Sequence, residues 1–413
     1  MPDPQRHDSE LTRIRRRTLW VLATGQVLGG ISFGATVSLG AIIVSDVSGD
    51  ESLSGLASAF VTLGAAVFAI PLARLAKASG RRPALAAGLL VALVGVCVVI
   101  VGTGATSLPL LLTGVFLIGA GQAANLQSRF AAADLATDRS RARDISLVVW
   151  ATTIGAVLGP NVIGPGEALG DMVGMPSPTG PYLFTIVAQA LAVVMYLVLL
   201  RPDPLRLADR LIAERPVGVS RLARSDRPAA ARYAIVSIAG AHGVMVALMA
   251  MTPIHLMHGG ATLTVIGLTI SLHIAGMYAL SPLFGFLADR IGRVTTVLIG
   301  QALFAASLVI AAFGQASAPA VTVSLVLLGL GWSASTVAGA ALLTEATAEQ
   351  LRTRRQGRSD LVMNLTGAGG AVLAGVVLGW IGYGGLALVA LTIVVVVTVL
   401  SPLGRAGGGE SRD

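Results

Sequence analysis

Apolar runs of about 20 residues follow one another along the chain, separated alternately by basic connections and by connections that carry no cation. About 20 helical residues cross ~30 Å of hydrocarbon. The pattern therefore predicts helices near 18–44, 53–76, 84–104, 108–133, 145–165 and 181–200, then near 232–257, 262–288, 294–314, 319–343, 361–382 and 384–402. The fold class expected is an all-α polytopic membrane protein, with twelve transmembrane helices as two pseudo-symmetric six-helix bundles. Its parts are a tail at 1–17, an amino-terminal bundle at 18–200, a linker at 201–231, a carboxyl-terminal bundle at 232–402 and a tail at 403–413.

Charge orients this pattern. All 29 Lys and Arg lie ahead of the first span, in the connections after even-numbered spans or in the span ends that adjoin those connections, as Arg74, Arg129 and Arg232 do, so every odd-to-even connection lacks a cation. Positive charge resists translocation, which places both termini and the basic loops in the cytoplasm. The linker 201–231 is rich in Arg, Pro and Asp and too polar to cross. The loop 165–181 holds Glu167, Asp171 and no cation, as an external loop would.

Composition narrows the class further. Only 12% of residues are charged and 54% are hydrophobic, where a soluble domain carries about a quarter charged. Lipid is thus the expected solvent, and the net charge of +8 belongs to loops facing anionic head groups, not to a nucleic-acid surface. The lone Cys97 sits in a span and can form no internal disulfide. The polar start, 1–17, followed by 18–44 copies a signal peptide, but that apolar stretch is too long for one and reads as a retained first helix. With 28 Arg to one Lys, the coding DNA is expected to be GC-rich and the location a bacterial inner membrane.

Two short turns repeat. Ala73-Arg-Leu-Ala-Lys-Ala-Ser-Gly-Arg-Arg82 and Gly285-Phe-Leu-Ala-Asp-Arg-Ile-Gly-Arg-Val294 share Leu-Ala and a later Gly-Arg at equal offsets. Glycine permits the tight turn, and Asp289 and Arg290 can pair with each other or with helix ends. Twelve helices, a basic central linker and this turn resemble the major facilitator superfamily, whose internal duplication they share. The resemblance implies two bundles rocking about a central site. It also implies a charge network that sets the conformational equilibrium, for which Asp289, Arg290, Gly292 and Arg293 in one copy and Gly80 and Arg81 in the other stand in the motif positions. Lys77 departs from the pattern by occupying the place usually held by Asp.

The fifth helix carries Gly155-Ala-Val-Leu-Gly159-Pro160-Asn-Val-Ile-Gly164, which resembles the Gly-x-x-x-Gly-Pro motif of the drug:proton antiporter branch. Four-residue glycine spacing admits a close neighbour, and Pro160 removes a backbone donor. The branch usually places an Arg in the fourth helix beside a Gly-rich run. Here Gly119-Ala-Gly-Gln122 lacks it, and Arg129 falls near the cytoplasmic end.

Ion coupling needs a group whose charge changes, and such groups are costly inside a membrane. Asp46, Asp134, Glu345 and Asp360 all lie near span ends, which leaves histidine. His242 and His273 come about ten and eleven residues into antiparallel spans, roughly 15 to 17 Å deep and level with each other. Either they take and release protons or contact substrate, or they are neutral and hydrogen-bonded across helices. His255 and His258 share a helical face, but without a carboxylate or thiolate they read as interfacial hydrogen-bonders beside Pro253, so no metal and no cofactor are expected. Gln26, Gln122, Asn125, Trp332 and Asn364 are mid-helix on spans that line the cavity in the family fold. That inventory, without a formal charge, suits a lipophilic, neutral or weakly basic substrate.

The expected function is secondary active transport: a proton-coupled efflux antiporter of small amphiphilic compounds, working as a monomer. An uptake symporter or facilitator of a neutral metabolite stays open, as does a non-transporting sensor, although neither linker nor tails supply a signalling domain. No Gly-x-x-x-x-Gly-Lys-Ser/Thr for nucleotide hydrolysis and no His-Glu-x-x-His occurs, so an enzyme is not expected.

Overall fold

The computed structural model describes residues 4–50, 53, 55–213 and 226–406. Those residues are almost wholly helical. The first half runs α1 (Pro4–Ser48), α2 (Leu56–Ser79), α3 (Arg81–Gly104), α4 (Leu108–Asp134), α5 (Arg141–Asn161), α6 (Ile163–Met172) and α7 (Tyr182–Leu199). A short helix α8 (Pro204–Ala213) follows. The second half runs α9 (Pro228–His258), α10 (Leu263–Tyr278), α11 (Ser281–Ile291), α12 (Arg293–Phe313), α13 (Ala318–Glu345), α14 (Arg352–Val399) and α15 (Ser401–Arg405).

Nine helical stretches among the described residues are long and apolar enough to cross a membrane. The last, Glu349–Arg405, is 57 residues long, roughly twice what one crossing needs. It breaks at Gly382, whose φ of 71° and ψ of −179° lie in a region essentially open only to glycine. Gly243 of α9 abuts Thr366 before the break, and Gly240 faces Ile393 and Val397 after it, so the chain folds back and α14 supplies two spans. With α1 and the α5–α6 pair, this gives the twelve spans expected. The predicted eighth helix is α10 and α11 in succession, and the predicted fifth divides just after Pro160 into α5 and α6.

The halves repeat the same packing. α4 lies against α1, α2 and α3, and α13 lies against α9, α10 and α12. Small residues allow it: a Cβ on Gly119 of α4 would come within 2.4 Å of the Val61 carbonyl, and one on Gly329 of α13 within 2.4 Å of the His273 carbonyl. Large apolar side chains such as Leu191, Val194 and Val198 of α7 stand exposed, as a surface bathed in lipid requires. Cys97 is a free thiol on that kind of surface.

Two compact units result, and neither is one contiguous half. The first groups 1–137, 151–221 and 356–361, and the second 138–150, 222–355 and 362–413. The first residues of α5 therefore belong to the second unit, and a short piece of α14 to the first.

The end of the linker is clamped to the second unit. Asp226 takes both Arg355 guanidinium nitrogens at 2.5 and 2.6 Å and the N–H of Ala348 at 3.1 Å. The hydrogen bonds from Arg355 hold its carboxyl below the usual carboxylate range. A carboxyl whose folded pKa is depressed stabilises the fold above its unfolded value near ~4 and loses that contribution as pH falls through the folded value. Acidification below about pH 4 should therefore release this clamp, and Asp226→Asn should remove that acid-dependent step. Proteolysis of the linker followed against pH measures it.

Candidate functional site

In the second unit His242 joins an aromatic cluster through Trp332. The Trp332 indole N–H on α13 donates to His242 Nδ1 on α9 at 3.2 Å, and Tyr278 of α10 meets Trp332 edge-on with ring centroids 5.6 Å apart. Gly367 of α14 makes room, because a Cβ there would lie 2.6 Å from His242 Cδ2. His242 and Tyr278 are half-buried, Trp332 is buried, and Asn364 is buried one turn away on α14. Indole is a donor only, so the hydrogen bond requires a lone pair on His242 Nδ1.

His273 is placed differently. It is fully buried, and its Nδ1 lies 2.8 Å from the Leu325 carbonyl, which can only accept, so Nδ1 carries a proton. Leu325 and Trp332, the partners of the two histidines, are seven positions apart on α13, about 10 Å along the axis. The two imidazoles thus have partners of different kinds, a backbone carbonyl for His273 and an indole for His242. His273 has the geometry of a cross-helix hydrogen-bonder.

Away from the arginine-rich helix ends, the His255 imidazole stacks on Tyr383 at 4.2 Å and 5° and contacts the Gln315 carbonyl at 2.8 Å. His255 is thus a packing and hydrogen-bonding residue. Among the described residues no group of three or more His, Cys, Asp or Glu could hold a metal ion.

In the first unit a carboxamide cluster joins α1, α4 and α7. Gln26 donates to the Asn125 carbonyl at 3.0 Å, and Gln189 Nε2 donates to Ser32 Oγ at 2.5 Å. Ser32 and Gln189, with Gln122, Asn125 and Gly29, border a cavity of about 10 Å³.

The arginine-rich ends of the helices carry the repeated turns. Gly80 and Gly292 both turn the chain with φ near 100°. From the second turn, Asp289 accepts the N–H groups of Ala142 and Arg143 at 3.1 and 2.9 Å, so its carboxylate caps the first turn of α5 and meets the positive end of its dipole. Arg293 pairs with Asp289 at 3.1 Å and lies 3.0 Å from Glu345. Arg290 instead is exposed, with its guanidinium over the Phe286 ring. In the first turn Arg81 is buried and grips Asp134 through two nitrogens at 2.8 and 3.2 Å, while Gln356 accepts from it at 2.6 Å. Asp134 ends α4 as Glu345 ends α13, so the Gly-Arg pairs have equivalent acids.

Lys77 is exposed, and no acid stands at its position. A carboxylate reaches the first turn from another element. Asp203, just ahead of α8, accepts the N–H of Arg82 at 2.7 Å, and Arg206 donates to the carbonyls of Ser79 and Ala78 at 3.1 and 2.9 Å.

A profile described as Major Facilitator Superfamily matches residues 22–260 and 242–406. The chain belongs to the Major Facilitator Superfamily. Members of this superfamily move small molecules across membranes, so the protein is a multi-pass membrane transporter and not an enzyme. The MFS-type transporter YddS of Bacillus subtilis (strain 168), itself described as uncharacterized, is 36% identical over 373 residues, covering 88% of this chain and 85% of that protein. The riboflavin transporter RfnT of Brucella anthropi is 30% identical over 405 residues, covering 95% of this chain and 98% of that one. The human organic anion transporter MFSD10 (TETRAN) superposes with a TM-score of 0.73 at 17% identity, over 94% of this chain and 99% of that one, which reports shared fold alone.

For this superfamily member, sequence reasoning reached His242 and Trp332 as separate polar and aromatic positions and missed their bond. It missed Tyr278 and Gln189 altogether. It set Arg129 aside, yet Arg129 lies 2.6 Å from Asp360 with both side chains at most 2% exposed. The signal available was complementary charge at the same membrane depth in the fourth and eleventh spans. In the helix-five motif, a Cβ on Gly155 would fall 2.4 Å from the Val27 carbonyl, Gly159 is buried and Gly164 has open space around it. The surroundings of the Pro160 side chain lie outside the described residues.

Proposed function

We propose that the protein is a proton-coupled antiporter that exports small, uncharged or weakly basic amphiphiles by alternating access. The observation carrying this reading is the Trp332 to His242 hydrogen bond. A protonated imidazole has no lone pair, so His242 cannot hold a proton on Nδ1 and accept from Trp332 at once. Taking up a proton frees the indole, and losing it restores the bond. A half-buried imidazole bonded to Trp332, on which Tyr278 packs edge-on, thereby links protonation to the shape of an aromatic surface that a substrate would touch.

The basic helix ends and both termini face the cytoplasm of a bacterial inner membrane, on the charge asymmetry of the loops. The hold of Asp289 on the first turn of α5 is then a cytoplasmic contact that alternating access has to release. The transporter works as a monomer in this reading, with membrane lipid around it.

A second reading, transport of a neutral metabolite with or without protons, is favoured by the uncharged carboxamide cluster. It is also favoured by the relative that carries riboflavin. One experiment separates the two. The purified chain is placed in liposomes holding a pH-sensitive dye, a proton gradient is imposed, and cationic amphiphiles, neutral amphiphiles and riboflavin are added in turn. Antiport predicts proton movement in the direction opposite to the compound. Movement of both in the same direction, or flux of a compound without protons, would transfer the assignment to the second reading.

A further inference from the structure

Within the first unit, α2, α3 and the turn between them carry Arg74, Lys77, Arg81 and Arg82 and no acid. Asp134 neutralises Arg81. Asp203 also reaches the turn, where a Cβ on Gly80 would lie 2.4 Å from its Oδ2, but backbone groups occupy its oxygens. It accepts the N–H of Arg82 at 2.7 Å and those of Leu205 and Arg206 at 3.1 and 3.2 Å. The guanidinium of Arg82 is left over. Arg82 is half-buried, and its enclosed Nε makes no hydrogen bond among the described residues. A buried donor without an acceptor requires an explanation. With Nε enclosed the guanidinium cannot turn fully to water, so an anion at its outer nitrogens would offset the lost solvation. Lys77, at the end of α2, is exposed beside it in the sequence of the turn.

The short helix α8 is tied to the same turn, because Arg206 donates to the carbonyls of Ser79 and Ala78. α8 packs on α4, with Leu205 and Ala208 buried. Leu207, Leu211 and Ile212 remain half-buried, while Arg206 and Arg210 are exposed. A helix with one apolar and one basic face lies in the plane of a membrane surface. Lipid head groups therefore meet the turn and α8 together.

We propose that the α2–α3 turn and α8 form a binding site for an anionic phospholipid, with Arg82 and Lys77 on its phosphate and the half-buried leucines of α8 along its acyl chains. A planar guanidinium matches phosphate oxygens, and an ammonium adds a compact point charge. A zwitterionic head group would bring its own ammonium up to Lys77, Arg82 and Arg210, so the site selects a lipid of net negative charge. The lipid phosphate thereby stands where the turn lacks an acid and joins the linker helix to it. Such a site requires only that the turn lie at one membrane surface, and it is independent of proton coupling and of the compound transported.

The test uses the full chain in micelles doped equally with phosphatidylglycerol and phosphatidylcholine of matched acyl chains, with the retained lipid identified by native mass spectrometry. Phosphatidylglycerol should be retained in preference by on the order of tenfold, since each cation near a membrane surface contributes roughly fivefold. Lys77→Gln and Arg82→Gln should each lower that preference about fivefold. Lys77→Asp, which gives the turn an acid of its own, should abolish it. Arg232→Gln removes an exposed cation from the second unit and changes the net charge equally, so the preference should stay as it was. Unfolding temperatures check the fold of each variant, and the exposed Lys77 carries the test should Arg82→Gln fail to fold. Equal retention of the two lipids, a preference that survives Lys77→Asp, or a loss on Arg232→Gln as large as that on Lys77→Gln overturns the site. Displacement of the lipid by inorganic phosphate overturns it as well, by assigning the cations to a free anion.

Discussion

Asp360→Asn should lower the unfolding free energy of the protein by ~3–5 kcal/mol, the usual cost of removing one partner of a buried ion pair. Asp360 and Arg129 are 0% and 2% exposed and meet at 2.6 Å, and the Arg129 guanidinium also lies 4.9 Å from the Phe130 ring centroid. Asparagine keeps the shape of aspartate but leaves the Arg129 cation in a low-dielectric interior without its counter-charge. The loss should be strongly non-additive. Arg129→Gln combined with Asp360→Asn removes both charges and should recover most of the stability, because the single substitution is costly through the charge it strands. Denaturant unfolding in detergent micelles, run on the two single variants and the double, closes the cycle. A loss below about 1 kcal/mol for Asp360→Asn would mean that the pair is solvated like a surface bridge.

His242→Gln should cut proton movement coupled to substrate by about 5–150-fold, the span of a typical coupling free energy. Glutamine Oε1 can still accept from the Trp332 indole, so the variant retains the hydrogen bond and much of the packing and loses only the capacity to titrate. Substrate binding measured without a gradient should therefore persist. The companion variant Trp332→Phe removes the donor and leaves the imidazole free to take a proton, so it should uncouple protonation from the aromatic surface. Liposome proton flux together with equilibrium binding separates these effects. Full proton-coupled transport by His242→Gln would place the coupling group elsewhere.

The helices were readable from the chain because a lipid solvent forces contiguous apolar runs of a set length and leaves cations at one set of ends. The return of α14 at Gly382 fell on the last residue of the predicted eleventh helix, since the total apolar length exceeded one crossing. The two Gly-Arg turns announced themselves by repetition, and Gly80 and Gly292 adopt matching backbone conformations.

The candidate site was legible as a set of positions, not as contacts. His242 and His273 looked equivalent by depth. Rotation about the helix axes decided otherwise, aiming His242 at the Trp332 indole and His273 at a backbone carbonyl two turns away. Arg81 and Asp134 are 53 positions apart and Arg129 and Asp360 are 231 apart, separations at which no local rule applies. Lys77 left a gap in the motif, and Asp203 of the following linker fills the turn from outside it.

The sequence by itself thus determined the number of spans, the segregation of charge to one set of helix ends, the duplication and the superfamily. Each of these follows from solvent and chain length, which act on every residue alike. Tertiary structure decided which histidine faces an indole, which carboxylate caps α5 and which arginines are buried with acids. Those are matters of helix rotation and register between distant segments, and they are settled only when the small-residue faces of the helices meet.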